Sequence, residues 1–169
     1  LNNKRPCCYV EQGVITYFDG DKQQAIIAVD QIPITIGGAA KHNVQNALAA
    51  TTLTASLGAD IAAITSALGR FGASNDDNPG RANQYQVNGA QVVVDFAHNE
   101  HSMDAMADTM RNVTANNRYL MLSAAGDRSD EETAAMTRSA LSMNPDKIIF
   151  AEVEKYLRGR EPGELGRLM

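Results

Sequence analysis

The sequence predicts an α/β fold with a parallel-rich sheet in its second half. Short runs of branched and aromatic residues recur through the first 36 positions, helical periodicity begins after Gly37-Gly38, and strand and helix patterns alternate from residue 84 onward. Alternation of this kind implies right-handed crossovers and a parallel sheet that helices cover on both faces.

The opening segment is predicted to consist of short strands. Apolar runs lie at residues 9–10, 14–18, 25–29 and 32–36, and Asp19-Gly20-Asp21 supplies a turn between the second and third. Pro33 has no N–H to donate to a neighbouring strand, so the last of these strands should be very short or lie at an edge.

Two helices should follow. Apolar residues recur at helical spacing from Val44, Gly58 ends that helix, and Asn43 is its predicted N-cap. Asp60 can cap a second helix over residues 61–71. The Gly72–Gly80 stretch is polar and without periodicity, which indicates a linker. We therefore predict one domain over residues 1–78 and another over 79–169.

The second half alternates strands and helices. A hairpin is predicted over residues 84–96, because Asn88-Gly89 favours the tight turns that fit strand twist. Helices are expected at 103–113 and 131–143, and strands at 119–123 and 148–151.

Composition excludes several classes of protein. The 169 residues carry a net charge of −5 without a basic cluster, which argues against nucleic-acid binding. No apolar run approaches the ~20 residues that span a bilayer. The adjacent Cys7 and Cys8 fit neither a disulfide framework nor a zinc site, so we expect a reduced, cytoplasmic protein that binds no metal through its own residues.

Polar residues gather where strands of the predicted sheet end. Asp95–Asn99 leaves one strand and Gly126–Asp130 leaves the next, and ligands collect at such carboxyl ends. Ordinary turn and capping chemistry is the alternative interpretation of both loops. Asn43 and Asn46 lie on one face of the first helix, where an amide could pair with a purine edge.

Five stretches in this order resemble the Mur ligase family. They are Gly37–Ala50, Pro79-Gly80-Arg81, Asp95-Phe96-Ala97-His98-Asn99, Gly126-Asp127-Arg128 and Arg158–Glu164, and the last is similar to a stretch typical of the cyanophycin synthetases. Glu100 stands where the family has proline, and Phe96 where it has tyrosine. The resemblance implies a Rossmann-like C-terminal Mur ligase domain, preceded by the tail of the central ATPase domain.

The resemblance also implies a reaction and a set of contacts. Mur ligases phosphorylate a carboxylate with ATP and Mg²⁺ and then let an amine attack the acyl phosphate; cyanophycin synthetases add arginine to aspartate side chains. The residues that match nucleotide contacts are Asn43, Asn46, Arg81 and Asp95, and those that match or border the acceptor site are His98, Asn99, Asp127 and Arg128. For the incoming amino acid we add Glu152, Glu154, Arg158, Arg160 and Glu164, because a guanidinium pairs well with a carboxylate.

The chain has no Gly-x-x-x-x-Gly-Lys-Ser/Thr phosphate loop, and the family carries that loop and its magnesium ligands further upstream. We therefore expect part of a larger ligase that is inactive by itself, and Leu1 in place of an initiator methionine points the same way. A homo-oligomer is compatible with this expectation. No catalytic residue is assigned within the chain. The alternatives are another Mur-type ligase of peptidoglycan synthesis, or a non-catalytic nucleotide- or peptide-binding domain.

Overall fold

The computed structural model describes residues 5–169, so Leu1 lies outside the described residues. The described chain divides into two compact units, the first ending at Phe96 and the second spanning Ala97–Met169. The domain boundary between residues 78 and 79 was predicted from the composition of the linker, and it stays a prediction. Residues 72–80 form turns, with neither a helix nor a strand.

The first unit begins with an antiparallel three-stranded sheet. Strands β1 (Cys7–Glu11), β2 (Val14–Phe18) and β3 (Gln23–Ala28) pair in the order β1-β2-β3. Ile15 and Ile32 are almost fully buried in the core beneath this sheet. The strands predicted from the first three apolar runs are confirmed.

The strand predicted at residues 32–36 is wrong. Residues 29–31 and 33–35 form two short 3₁₀ helices instead. The Thr35 hydroxyl donates to the carbonyl oxygens of Val29 (2.7 Å) and Ile32 (2.8 Å), which folds the segment back on itself. Pro33 suits the first turn of a helix because its missing N–H would have no partner there.

Helices α1 (Lys41–Ser56) and α2 (Ile61–Leu68) complete the core of the first unit. Asp60 caps α2, as predicted, by accepting a hydrogen bond from the Ala63 amide. The prediction that Asn43 caps α1 is wrong, because the helix begins two residues earlier and Asn43 lies in its first turn. The buried Asn43 side chain donates instead to the Ile34 carbonyl oxygen at 2.8 Å.

A hairpin ends the first unit. Strands β4 (Asn83–Val87) and β5 (Ala90–Val94) pair antiparallel, as predicted. Asn88 and Gly89 both have positive φ, which matches the tight turn expected of an Asn-Gly pair. The polar residues 95–99 follow β5 directly.

The second unit alternates helices and parallel strands. Its elements are α3 (Glu100–Arg111), β6 (Tyr119–Leu122), α4 (Asp130–Leu141), β7 (Lys147–Phe150) and α5 (Glu164–Leu168). The predicted parallel pairing is confirmed for β6 and β7. One face of this pair is not covered as predicted: Tyr119, Met121 and Ile149 are all more than half exposed. The chain is of the α/β class, with antiparallel sheets and one parallel pair.

Arg118 joins the carboxyl ends of α3 and α4. Its guanidinium donates to the carbonyl oxygens of Met143 (2.6 Å), Met110 (2.8 Å) and Val113 (3.0 Å). Carbonyls at helix ends carry partial negative charge, so a cation there is stabilising. Arg118 is a structural residue that no motif in the sequence marks.

None of the helices among residues 5–169 combines the length and apolarity needed to cross a membrane.

Candidate functional site

The two asparagines of α1 form a pair in which one orients the other. The exposed Asn46 amide donates to the Asn43 side-chain oxygen at 3.3 Å, while Asn43 is fixed to the Ile34 carbonyl. Asn43 therefore has its donor and its acceptor engaged within the protein. Asn46 is the one of the two whose side chain is exposed.

Arg81 and Asp95 lie at the base of the β4–β5 hairpin, Arg81 just before β4 and Asp95 just after β5. The Asp95 carboxylate accepts a hydrogen bond from the Ala82 backbone amide at 2.8 Å, which holds the turn that carries Arg81. Ala82 is buried and has a φ of 52°, a conformation that non-glycine residues rarely adopt. The Arg81 guanidinium stacks over the Phe96 ring, 5.9 Å from its centroid. Asp95 thus positions Arg81 through the backbone.

His98 and Asn99 lead into α3. Asn99 is the N-cap: its side-chain oxygen accepts a hydrogen bond from the Ser102 backbone amide at 2.9 Å. In turn, the Asn99 backbone amide donates to the Ser102 hydroxyl oxygen. His98 is exposed, and its backbone amide donates to the same serine hydroxyl. Glu100, the residue that departs from the family's proline, lies in the first turn, where both proline and a carboxylate are favourable.

The Gly126–Asp130 loop presents two charged side chains. The Asp127 carboxylate pairs with Arg158, and both side chains are about half exposed, at 47% and 49%. Arg128 lies 3.8 Å from Glu132, one turn into α4. These pairs are solvent-facing, so another charged group can replace either partner at small cost.

Arg160 binds the backbone of this loop. Its guanidinium donates to the carbonyl oxygens of Gly126 (3.0 Å) and Arg128 (2.8 Å), and to the carboxylates of Asp130 (2.8 Å) and Glu164 (2.7 Å). Two of these hydrogen bonds raise the pKa of Arg160; the one to Asp130 has the larger effect and the one to Glu164 the next largest. Only 16% of the side chain is exposed.

The glutamates predicted to bind an incoming amino acid have different surroundings. Glu152 accepts hydrogen bonds from the Gly163 and Gly166 amides at 2.6 and 3.0 Å. These two bonds lower the pKa of its carboxyl, and the bond from Gly163 has the larger effect. Hydrogen bonds from the Glu161 amide and from the Arg160 guanidinium lower the pKa of Glu164, and the bond from Glu161 has the larger effect. Glu154 is exposed on a short 3₁₀ turn. Glu154 is therefore the glutamate best placed to meet a solute.

The predicted residues divide cleanly between the two units. Those assigned to the nucleotide, Asn43, Asn46, Arg81 and Asp95, all belong to the first unit, and those assigned to the acceptor or amino acid all belong to the second. Over residues 5–169, His, Cys, Asp and Glu side chains form no group of three that could hold a metal ion. Burial raises the pKa of the Cys8 thiol, which makes it a poor nucleophile at neutral pH.

Three contributors to the site were not given a role from sequence. Ala82 anchors the turn before β4, Asp130 binds Arg160, and Gly126 contacts the 156–157 backbone. A Cβ at Gly126 would overlap the Leu157 carbonyl oxygen, which explains why glycine opens this loop. The sequence signal was the Gly-Asp-Arg motif itself, but its long-range partners lie about 30 residues away.

The second half of the chain matches a family model. Residues 80–167 match the model of the Mur ligase, glutamate ligase domain. That match covers more than half of the chain.

Curated relatives agree with the family match. A cyanophycin synthetase of Nostoc sp. (strain PCC 7120) is 33% identical over 159 residues, which is 94% of this chain and 17% of the relative. A cyanophycin synthetase of Synechocystis sp. (strain PCC 6803) is 30% identical, over 94% of this chain and 18% of the relative. The chain thus spans about a sixth of the length of these relatives.

A ligase of a different kind is also similar. The UDP-N-acetylmuramoyl-L-alanyl-D-glutamate–2,6-diaminopimelate ligase of Geobacillus thermodenitrificans is 29% identical over 147 residues, which is 76% of this chain and 29% of the relative.

Proposed function

The chain belongs to the Mur ligase family, and from that premise we propose that it is part of an ATP-dependent ligase that adds arginine to the aspartate side chains of cyanophycin. The observation that carries the proposal is the similarity to cyanophycin synthetases over 94% of the chain. The chain covers only 17% of that relative, so the proposed activity belongs to a longer protein.

The proposed reaction joins a carboxylate to an amine. A side-chain carboxylate oxygen attacks the γ-phosphorus of ATP and ADP leaves; the α-amine of arginine then attacks the acyl carbon, and phosphate leaves as the amine loses a proton. Arg81 and Arg128 offer guanidinium groups that can offset negative charge on phosphate oxygens. As the family resemblance implies, magnesium would be held mainly by groups upstream of this chain.

We assign the nucleotide contacts to the first unit. Asn46 presents its amide to the adenine, with Asn43 orienting it, and Arg81 faces the phosphates from a turn that Asp95 holds. This assignment is supported by the exposure of Asn46 and Arg81, in contrast to the burial of Asn43.

We assign the acceptor and the incoming amino acid to the second unit. His98, Asp127, Arg128, Glu154 and Arg158 are exposed or partly exposed and can contact a solute. Four of the predicted residues, Asn99, Glu152, Arg160 and Glu164, are committed to internal hydrogen bonds and support the site indirectly. Because the proposed reaction consumes ATP, we place the protein in the cytoplasm.

Arginine incorporation by the full-length protein tests the proposed function. Purified protein is supplied with ATP and Mg²⁺, with either a polyaspartate primer or a UDP-linked muramoyl dipeptide as the acceptor, and with radiolabelled arginine, lysine or diaminopimelate in parallel reactions. We expect arginine to enter the primer with release of one phosphate per residue. Incorporation of diaminopimelate into a UDP-linked muramoyl dipeptide, with none of arginine, would favour the second candidate that the Geobacillus relative supports.

The isolated chain is proposed to be inactive. It contains no phosphate loop, so only the adenine and ribose ends of the nucleotide can be held, and the Arg81 and Asp95 contacts should need the complete central domain to form. Saturable ATP hydrolysis by the purified chain, abolished in Asp95→Ala, would overturn this part of the proposal.

A further inference from the structure

The loop that carries Asp127 and Arg128 is held from one side by a single downstream segment. The Gly126 amide donates to the Tyr156 carbonyl oxygen at 2.8 Å, and the Gly126 carbonyl accepts from Arg160 at 3.0 Å. Both backbone groups of one glycine are thus tied to residues about 30 positions away. The loop conformation therefore depends on the 156–160 segment.

Arg160 accounts for most of this attachment. Two of its contacts are loop carbonyls, one is the Asp130 carboxylate at the start of α4, and one is the Glu164 carboxylate in α5. Arginine has five N–H donors in a planar fork, so one side chain can bind four acceptors in fixed directions. Lysine, with one point charge, cannot reproduce this arrangement.

Glu164 and the first turn of α5 are themselves held in place by hydrogen bonds. The second oxygen of Glu164 accepts from the Glu161 amide at 3.0 Å, and Glu152 binds the Gly163 and Gly166 amides. This leaves Arg160 little freedom to move away from the loop. In contrast, the Asp127 and Arg128 side chains remain 47% and 40% exposed.

We propose that Arg160 is a positioning residue: it fixes the backbone of residues 126–130 so that Asp127 and Arg128 face the incoming amino acid in one orientation. The inference rests on the proposed ligase function. It reassigns Arg160 and Glu164 from direct recognition of the amino acid to support of the loop that recognises it.

The test uses the full-length protein with Arg160→Met, Arg160→Lys and the control Arg118→Met. Arg118 is also an arginine of the second unit that binds three backbone carbonyls, but its partners are Met110, Val113 and Met143. Its substitution therefore reproduces the loss of a structural guanidinium without touching the loop.

Kinetics provide the first measurement. We expect Arg160→Met to raise the KM for the incoming amino acid by about 10- to 100-fold, since small misplacements of positioning groups have effects of this size. The KM for ATP should rise much less, because the loop supplies only Arg128 to the phosphates and the residues proposed to contact the nucleotide belong to the first unit. Arg160→Lys should fall between wild type and Arg160→Met. An equal rise in both KM values, or the same rise in Arg118→Met, would overturn the proposal.

Hydrogen exchange provides a measurement that is independent of activity. The Gly126 amide should exchange at least about tenfold faster in Arg160→Met, because its bond to Tyr156 then opens more often, and Arg118→Met should leave it unchanged. Unchanged Gly126 exchange in Arg160→Met would refute the positioning role even in a protein with no ligase activity. The two proposals can fail separately. If the wild-type protein ligates no amino acid but Gly126 exchange is faster in Arg160→Met, the proposed function is refuted and the role of Arg160 in holding the loop is supported.

Discussion

Replacing Asp95 with alanine should destabilise the first unit before it affects any ligand. The Asp95 carboxylate accepts a hydrogen bond from the buried Ala82 amide at 2.8 Å. In Asp95→Ala the amide loses a charged acceptor, and the turn that carries Arg81 loses its anchor. The stability effect therefore measures how strongly this contact holds the proposed nucleotide-binding turn.

The size of the effect follows from two opposing contributions. A hydrogen bond to a charged group is worth about 1.5–3 kcal/mol. The left-handed conformation of Ala82 costs about 1–2 kcal/mol, and part of that strain is released when the turn relaxes. If about half of that strain is released, the net loss in the free energy of unfolding is about 1–2 kcal/mol. Asp95→Asn keeps a neutral acceptor and should lose about half as much.

Urea denaturation of the chain provides the assay, with Asp30→Ala as the control. Asp30 is an exposed acidic residue of the same unit, so its substitution should change stability by no more than about 0.5 kcal/mol. A loss in Asp95→Ala as small as that in Asp30→Ala would refute the anchoring role. In the full-length protein, Asp95→Asn should then raise the KM for ATP only if the carboxylate itself contacts the nucleotide.

The second unit supports three further tests. Gly126→Ala should lower its stability by about 1–3 kcal/mol, because the new Cβ overlaps the Leu157 carbonyl oxygen, and thermal unfolding measures the loss. Arg118→Met should lose about 2–3 kcal/mol and speed amide exchange at the ends of α3 and α4, since three carbonyls lose a charged donor. Acid should loosen α5: Glu152 and Glu164 have lowered folded pKa values, so their stabilisation is complete above about pH 4.5 and is lost as pH falls through those lower values. Protection of the α5 amides, after correction for the intrinsic pH dependence of amide exchange, that stayed constant down to about pH 3 would contradict this last expectation.

Local signals predicted most of the elements. The Asn88-Gly89 turn, the Asp60 cap and the parallel pairing of β6 and β7 follow from short-range rules and are confirmed. The prediction of a strand at residues 32–36 was wrong because the Thr35 hydroxyl binds two nearby carbonyls, and the pattern of apolar residues cannot reveal such bonds. Asn43 was misassigned as a cap because its partner, the Ile34 carbonyl, lies outside the helix.

The candidate site was harder to predict because its contacts are distant in sequence. The motif pattern identified Asp127 and Arg128, but Arg160 lies more than 30 residues from the loop carbonyls it binds. Carboxylates such as Glu152 look the same in sequence whether they bind a solute or backbone amides. Only the fold separates the exposed Glu154 from the engaged Glu152.

The most direct test of the central claim is amino-acid incorporation by the full-length protein. With ATP, Mg²⁺ and a polyaspartate primer, labelled arginine should enter the primer through a bond to the aspartate side chain, and phosphate should appear in equal amount. Omission of ATP should abolish both. A protein that releases phosphate only with diaminopimelate and a UDP-linked muramoyl precursor, or that incorporates no amino acid at all, would contradict the account.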